Sequence, residues 1–402
     1  MTVVVINDFG YVDGGASQVA IATALTAKKM GQEVIYFTAV DPIDSRLLDT
    51  GIRVISTHQL EVLHYKNKIQ GAIMGIWNIK AKYMLSELLD NLDPTHTIIH
   101  IHSWIKSLSP SIFAAIQQSG FKFVITAHDY FLACPNGGFY NYPHKRICRY
   151  KAMTGKCICT NCDRRNYAQK LYRALRQYVQ NHILSKSVVN LIFISHYSES
   201  LLEKQISFHY NSFFLRNLVS PIKSADCENS KVSKDLYLYI GRVTPEKGAD
   251  LFCEAMKRTK FKGVLIGDGE SREQLQKQYA SEANITFAGW KKHEEITEYL
   301  MRTKALIVPS RWHETAVLTI PEVQWNYDMP VLVGDQCAGS EFVEEGKNGF
   351  IFKSGNVSSL VQTIQKFEHL KSYHYCNDQK YVEMLNSQGT VLDVYTHILY
   401  GK

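Results

Sequence analysis

No apolar run in this chain approaches the roughly 20 residues needed to span a bilayer. No basic segment followed by a cleavable apolar core precedes its first strand-like run, Thr2 to Ile6. Both absences lead us to expect a cytoplasmic protein. Cysteine is present but odd in number, nine in all, and without a secretion signal a disulfide framework is not expected. The first glycine-rich loop lacks the Gly-x-Gly-x-x-Gly spacing, so a dinucleotide is not implied. The charge is not extreme either. A formal +7 suits anionic partners, small ligands and acidic lipid head groups alike, without choosing between them.

What is present reads as an ordinary globular protein, 45% hydrophobic and 21% charged. At 402 residues it exceeds what one core usually supports, so two domains are expected. Thr2 to Ile6 leads into a loop with Gly10, Gly14 and Gly15, and Ser17 is placed to cap a helix over Gln18 to Met30. Strand, glycine loop and helix open a Rossmann-like unit. The loop is either a tight turn or a place where backbone closely approaches a diphosphate or acceptor. Further strands are expected at Glu33 to Ala39, Ile52 to Ser56, Thr97 to Ile101 and Lys122 to Thr126, with a helical stretch from about Ile69 to Asp90. The last of these strands ends at His128-Asp129, the ligand-facing position of a parallel sheet. His128 is therefore a candidate catalytic or substrate-binding group.

Periodicity stops between Phe131 and Arg165, a segment holding Cys134, Cys148, Cys157, Cys159 and Cys162. A structureless loop of this length is usually functional. Cys148, Cys157, Cys159 and Cys162 form a candidate structural zinc set, with reduced packing thiols as the alternative. The following basic, aromatic-rich stretch, Arg165 to Leu184, suits either an anionic membrane face or solvent. A polar linker is read over Asn217 to Lys234, after which the α/β alternation begins again. The expected domains are 1–218, with the insert at about 131–165, and 219–372. A terminal helical segment, 373–402, is expected to pack back on the first domain.

The second half holds the densest chemistry. Its first strand runs into Gly241-Arg242-Val243-Thr244-Pro245-Glu246-Lys247-Gly248, where Arg242 and Lys247 suit a phosphate. The next strand ends in Gly267-Asp268-Gly269-Glu270, read as a loop that a ligand can approach. A later strand ends in a loop with Glu314, and Glu322 follows eight residues on, near the mouth of a helix expected from about Val317. Pro321 belongs in a first helical turn, where its missing N–H costs nothing. Helix-start amides attract phosphate and carboxylates accept from sugar hydroxyls, so a nucleotide-sugar would use both.

Taken in order, the Gly-Arg-x-x-x-Glu-Lys-Gly block, the Gly-Asp-Gly block and the Glu314/Glu322 pair resemble the family-four retaining glycosyltransferases of the GT-B fold. The early Gly14-Gly15 loop and His128 fit the same pattern. The resemblance covers nearly the whole chain and is strongest from Tyr239 to Phe352. It implies an α/β protein of two Rossmann-like domains facing a cleft, with a C-terminal helix crossing back. It also implies that Arg242 and Lys247 bind the donor diphosphate, Glu322 the ribose, and that Glu314 and His128 face the transferred sugar. Gly14, Gly15 and the backbone of Thr315, Ala316 and Val317 would complete the donor site. The chain departs from the family's Glu-Gly-Phe-Gly at Glu314-Thr315-Ala316-Val317, which bears on the phosphate contacts and the sugar accepted. The insert after His128 is similar to one in some bacterial polysaccharide-assembly members.

The resulting expectation is a retaining transferase moving a sugar from a nucleoside diphosphate sugar to a growing, lipid-linked glycan, at the inner face of a membrane. No Asp-x-Asp motif is present, so metal-independent donor chemistry is expected, with no cofactor. A GT-B-like sugar-nucleotide epimerase or phosphorylase is the first rival. A zinc-dependent nucleic-acid-binding protein built on the cysteines is the second, and it leaves both α/β halves unexplained.

Overall fold

The computed structural model describes residues 1–217, 234–370 and 389–401. All but the ends of the expected linker, and the expected terminal helical stretch up to residue 388, lie outside the described residues. The described chain forms two compact units, each with its own parallel sheet.

The first unit comprises residues 1–137, 150–217 and the C-terminal helix. Its strands are β1 (Thr2–Phe9), β2 (Glu33–Val40), β3 (Arg53–Ser56), β4 (Thr97–Ile101) and β5 (Lys122–Thr126). The second unit takes the short hairpin β6 (Tyr140–Asn141) and β7 (Arg146–Ile147), after which β8 (Val189–Phe193) and β9 (Tyr210–Phe214) return to the first. The order is β3-β2-β1-β4-β5-β8-β9, parallel throughout. These strands are runs of Val, Ile and Phe because helices cover both faces of a parallel sheet, leaving no polar side to alternate with. Val3, Val4, Val5 and Ile6 are all fully buried.

The helices of this unit are α1 (Gly15–Lys29), α2 (Ser45–Asp49), α3 (Lys68–Ile76), α4 (Ile79–Leu89), α5 (Ser111–Gln118), α6 (Gly155–Cys159), α7 (Tyr167–Leu184) and α8 (His196–Glu203). Helix α1 starts two residues before the expected cap. Gly14 is its N-cap, and Ser17 is buried inside the first turn. The long helix expected from Ile69 is broken at Asn78, whose side chain caps α4 by accepting from Ala81 N at 3.0 Å and donates to Ser107 O at 2.8 Å.

The second unit holds residues 138–149 and the described residues from 234 to 370. Its strands β10 (Leu236–Ile240), β11 (Lys262–Ile266), β12 (Ile285–Gly289), β13 (Thr303–Val308), β14 (Val331–Gly334) and β15 (Gly349–Phe352) run parallel in the order β12-β11-β10-β13-β14-β15. Around them lie α9 (Ala249–Thr259), α10 (Arg272–Gln278), α11 (His293–Met301), α12 (Thr319–Tyr327) and α13 (Val357–Glu368). The last helix, α14 (Val391–Tyr400), belongs to the first unit: Tyr395 and Leu399 join its core, and Lys122 Nζ donates to the carbonyls of Ile398 and Leu399, each at 2.9 Å.

In each sheet the order reverses beside the first strand, between β1 and β4 and between β10 and β13. Loops at the carboxyl ends of such strands diverge to opposite faces and open a crevice, where open α/β sheets bind ligands.

Candidate active site

In the second unit the switch point brings two loops together. After β10, residues Pro245–Lys247 form a single 3-10 turn closed by Gly248. Gly248 has φ +74°, and a Cβ there would lie 2.0 Å from Pro309 O, so only glycine lets this turn rest on the end of β13. Gly267 is used the same way: at φ +140° its Cβ position falls 1.9 Å from Gly241 O. The glycines of the Gly-Asp-Gly loop thus serve the packing of neighbouring backbone.

That packing places Lys247 Nζ 2.6 Å from Glu314 Oε2, on the loop after β13. The Ser310 hydroxyl donates to Oε1 of the same carboxylate in a short hydrogen bond. Glu314 is 6% exposed. Burial pushes its pKa up, but the Lys247 charge and the hydrogen bonds from Lys247 and Ser310 outweigh it and hold the carboxyl below its ordinary value. Lys247 also stands 5.5 Å from the centroid of the Trp312 ring. Arg311 clamps the two loops: it grips Asp250 with both terminal nitrogens, at 2.7 Å for the Nη2 contact, and its own N–H donates to Glu246 O at 2.8 Å. Ser310 and Arg311 were missed in the sequence; a hydroxyl and a cation flanking a loop carboxylate are common, and only the fold shows what they meet.

Arg242 is exposed at the end of β10. Thr315, Ala316 and Val317 lie half-buried between Glu314 and α12, which starts at Thr319 and so two residues later than expected. Pro321 sits in its first turn, beside the half-buried Glu322. The β6–β7 hairpin adds to this neighbourhood, since Gly138 packs on Trp312 so closely that a Cβ would lie 3.0 Å from its ring. Part of the cysteine-bearing insert therefore belongs to the unit that carries Glu314 and Lys247.

The first unit's switch point is organised by Asp8, at the end of β1. Its carboxylate accepts the backbone N–H groups of Lys106, Ser107 and Leu108, each at 2.9 Å, and so shapes the loop after β4. Lys106 Nζ in turn lies 2.6 Å from Asp13 in the glycine loop, next to the exposed Gly14 and Gly15 at the start of α1. His128, just past β5, is held from the neighbouring strand. Its Nε2 shares a hydrogen bond of 2.8 Å with His102 Nδ1. His102 lies against His100 with ring centroids 4.1 Å apart and the planes tilted, and His100 bonds Tyr395 of α14 and Thr126, each at 2.6 Å. Burial keeps these imidazoles neutral, with His100 lowered to about 3, His128 to about 4 and His102 well below its usual value. The residue after His128, Asp129, is pushed up to about 6 by burial, against a hydrogen bond from Phe131 N–H and the charge of Arg176. His102 and Asp8 were not singled out in the sequence. The spacing of His100 and His102, two apart on a strand, was the available signal, since it puts both on one face.

The insert resolves into the β6–β7 hairpin, α6 and irregular backbone stapled by α7. Gln180 Nε2 donates to Phe131 O at 3.0 Å, Gln177 Nε2 to Leu132 O at 3.3 Å and an Arg176 terminal nitrogen to Ile105 O at 3.1 Å. The described cysteines are thiols. The four candidate zinc ligands do not form a set. Cys159 faces solvent, Cys157 is buried against the ammonium of Lys170 at 3.5 Å, and Cys162 meets Asn136 Nδ2 at 3.4 Å. Cys148 falls in the second unit. Among the described residues, no group of three or more His, Cys, Asp or Glu could hold a metal ion.

Two parallel α/β units, each with its polar loops at the sheet's switch point, make this a protein of the GT-B fold. Residues 224–382 match the family described as Glycosyl transferases group 1. The curated relatives are distant. Alpha-D-kanosaminyltransferase of Streptomyces kanamyceticus is 22% identical over 141 residues, 33% of this chain and 36% of that protein. An uncharacterized 42.6 kDa protein from the cps region of Klebsiella pneumoniae is 22% identical over 251 residues, 62% of this chain and 59% of its own length. The chain thus spans roughly a third to three-fifths of the length of these relatives. Among solved structures, Anabaena HepE in complex with UDP aligns over 100% of both chains with a TM-score of 0.68 at 15% identity.

Proposed function

We propose that this protein is a retaining glycosyltransferase that moves a sugar from a nucleoside diphosphate sugar to a growing, lipid-linked glycan of a bacterial polysaccharide. It does so at the inner face of a membrane. The observation that carries this reading is the Lys247–Glu314 pair at the switch point of the very unit that matches a glycosyltransferase family. The Lys247 ammonium fixed against the buried Glu314 carboxylate suits a leaving diphosphate beside a sugar, where preorganised electrostatics stabilises developing charge. Arg242, exposed on the same loop, is assigned to the diphosphate together with Lys247. Glu322 is assigned to the ribose and Glu314 to the sugar hydroxyls. Thr315, Ala316 and Val317 offer backbone amides to the donor phosphates, and Gly14 and Gly15 offer theirs from the start of α1. His128, held in one orientation by His102, is assigned to the sugar. The relative from a cps region supports the polysaccharide setting, and HepE in complex with UDP supports a uridine nucleotide among the donors to try first. The donor chemistry is assigned to these side chains without a cofactor, and the thiols of the insert to packing rather than to zinc.

Thermal shift against a panel of nucleoside diphosphate sugars tests the donor, because a ligand that binds only the folded state raises the melting temperature. The stabilising donor is then given to the enzyme with lipid-linked acceptors, and the anomeric configuration of the product is read by NMR. No stabilisation by any donor, or an inverted product, overturns the reading.

A further inference from the structure

Helix α7 is built inside out. Of its 18 residues, the polar Lys170, Arg176, Gln177 and Gln180 are buried. Tyr167, Leu171, Leu175 and Tyr178, at spacings of four, four and three, face solvent. The inward polarity has a cause: these side chains saturate the carbonyls of the insert and of the loop after β4. The outward apolarity has none among the described residues. Helix α3 lies directly against α7, so close at Gly75 that a Cβ there would fall 1.9 Å from the Tyr172 hydroxyl. It too turns isoleucines outward, Ile69 at 74% and Ile73 at 60% exposure. Adjoining helices with apolar outer faces form a patch of the kind that marks an interaction surface.

The surroundings of the patch say what covers it. From Val62 to Ser86 and from Arg164 to Ser187 the chain contains no Asp or Glu. The flanking Lys66, Lys68, Lys80, Arg165 and Lys186 are exposed. A groove of about 840 Å³ between α4, α5 and α7 adds Lys82 and His182 at the edge. A second copy laid on this face would set one cationic rim against another. An anionic lipid surface meets both features, with acyl chains for the isoleucines, leucines and tyrosines and phosphates for the lysines.

We propose that the α3/α7 face is a membrane-docking surface that inserts Ile69, Ile73, Leu171, Leu175 and Tyr178 into a bilayer of anionic lipid. It rests on the reading above for its purpose, the delivery of a lipid-linked acceptor, and on the exposed face alone for its existence. The test is co-sedimentation of the full chain with vesicles of phosphatidylcholine, with and without phosphatidylglycerol, in the absence of donor and acceptor. The comparison variant is Ile73→Gln/Leu171→Gln/Leu175→Gln, whose positions are exposed and whose circular dichroism and melting temperature are expected to match the parent. The parent is expected to pellet with the anionic vesicles, and the variant to bind at least about tenfold more weakly, as binding scales with inserted apolar area. Failure of the parent to pellet, or equal pelleting of the variant, overturns the proposal. So does a concentration-dependent dimer that the variant loses. Donor hydrolysis in vesicle-free solution is measured beside it: intact hydrolysis without vesicle binding sinks the docking surface alone, and the converse sinks the transferase reading alone.

Discussion

Truncating Lys247 separates a residue that only meets substrate from one that is also built into the fold. Read from the sequence, a phosphate-gripping Lys247 is expected in a solvent-accessible cleft, so that the fold survives its truncation. In the structure its ammonium lies 2.6 Å from Glu314, a carboxylate 6% exposed and otherwise held by the Ser310 hydroxyl. Removing the ammonium leaves a buried charge whose largest compensating term is gone. Breaking a buried pair this way costs about 3–5 kcal/mol. We expect a loss of that size for Lys247→Ala in chemical denaturation at pH 7, and a smaller one for Lys247→Ala/Glu314→Gln, where no charge is stranded. The pH dependence has a definite sign. In the parent the folded pKa of Glu314 lies below its ordinary 4.5, so its contribution is present above that pH and fades as pH falls through the folded value. In Lys247→Ala the Ser310 hydrogen bond remains but the Lys247 charge no longer offsets burial, so the folded pKa rises, and the penalty is full at pH 7 and is relieved as acid protonates the carboxyl. The destabilisation measured at pH 5 should therefore be smaller than at pH 7. A loss below about 1 kcal/mol at pH 7, within reach of an exposed pair, or one independent of pH, would refute the reasoning.

Other expectations follow from the same loops. Arg242→Ala should leave the denaturation midpoint unchanged, since Arg242 is exposed, while lowering turnover by roughly 10²–10³; unchanged turnover removes it from the diphosphate site. Glu322→Ala should weaken nucleoside diphosphate binding by about 1–3 kcal/mol in calorimetry, whereas Glu314→Gln should spare product affinity and depress turnover; the reverse pattern exchanges their roles. His100 and His102 are buried with depressed pKa values, so the unfolded chain binds more protons below their ordinary 6.5, and the stability of the first unit should fall as pH drops from 6.5 towards 4. Melting curves that stay flat over that window contradict a neutral pair. Cys159→Ser should be silent in stability and activity, as its side chain is exposed, while Cys157→Ser should lower the melting temperature by disturbing the buried contact with Lys170.

Several features were legible in the linear chain because they depend on near neighbours. Strands buried on both faces must be continuous apolar runs, so the alternation of β and α, and with it the two parallel units, could be read from residues such as Val3 to Ile6 and Ala305 to Val308. Loops at strand ends must be polar and glycine-bearing, which marked Arg242, Lys247, Glu314 and His128 as the groups to watch. What decided their company was strand order, which no local pattern encodes. Lys247 meets Glu314, 67 positions away, only because β13 lies beside β10. His128 meets His102 only because β5 lies beside β4. The same limit hides which face a helix presents. The stretch that suited either an anionic membrane face or solvent forms α7, which turns Lys170 and Arg176 inward, onto the Cys157 thiol and the Ile105 carbonyl. Which face of a helix is outside depends on the unpaired polar groups of its neighbours, and those exist only once the chain has folded.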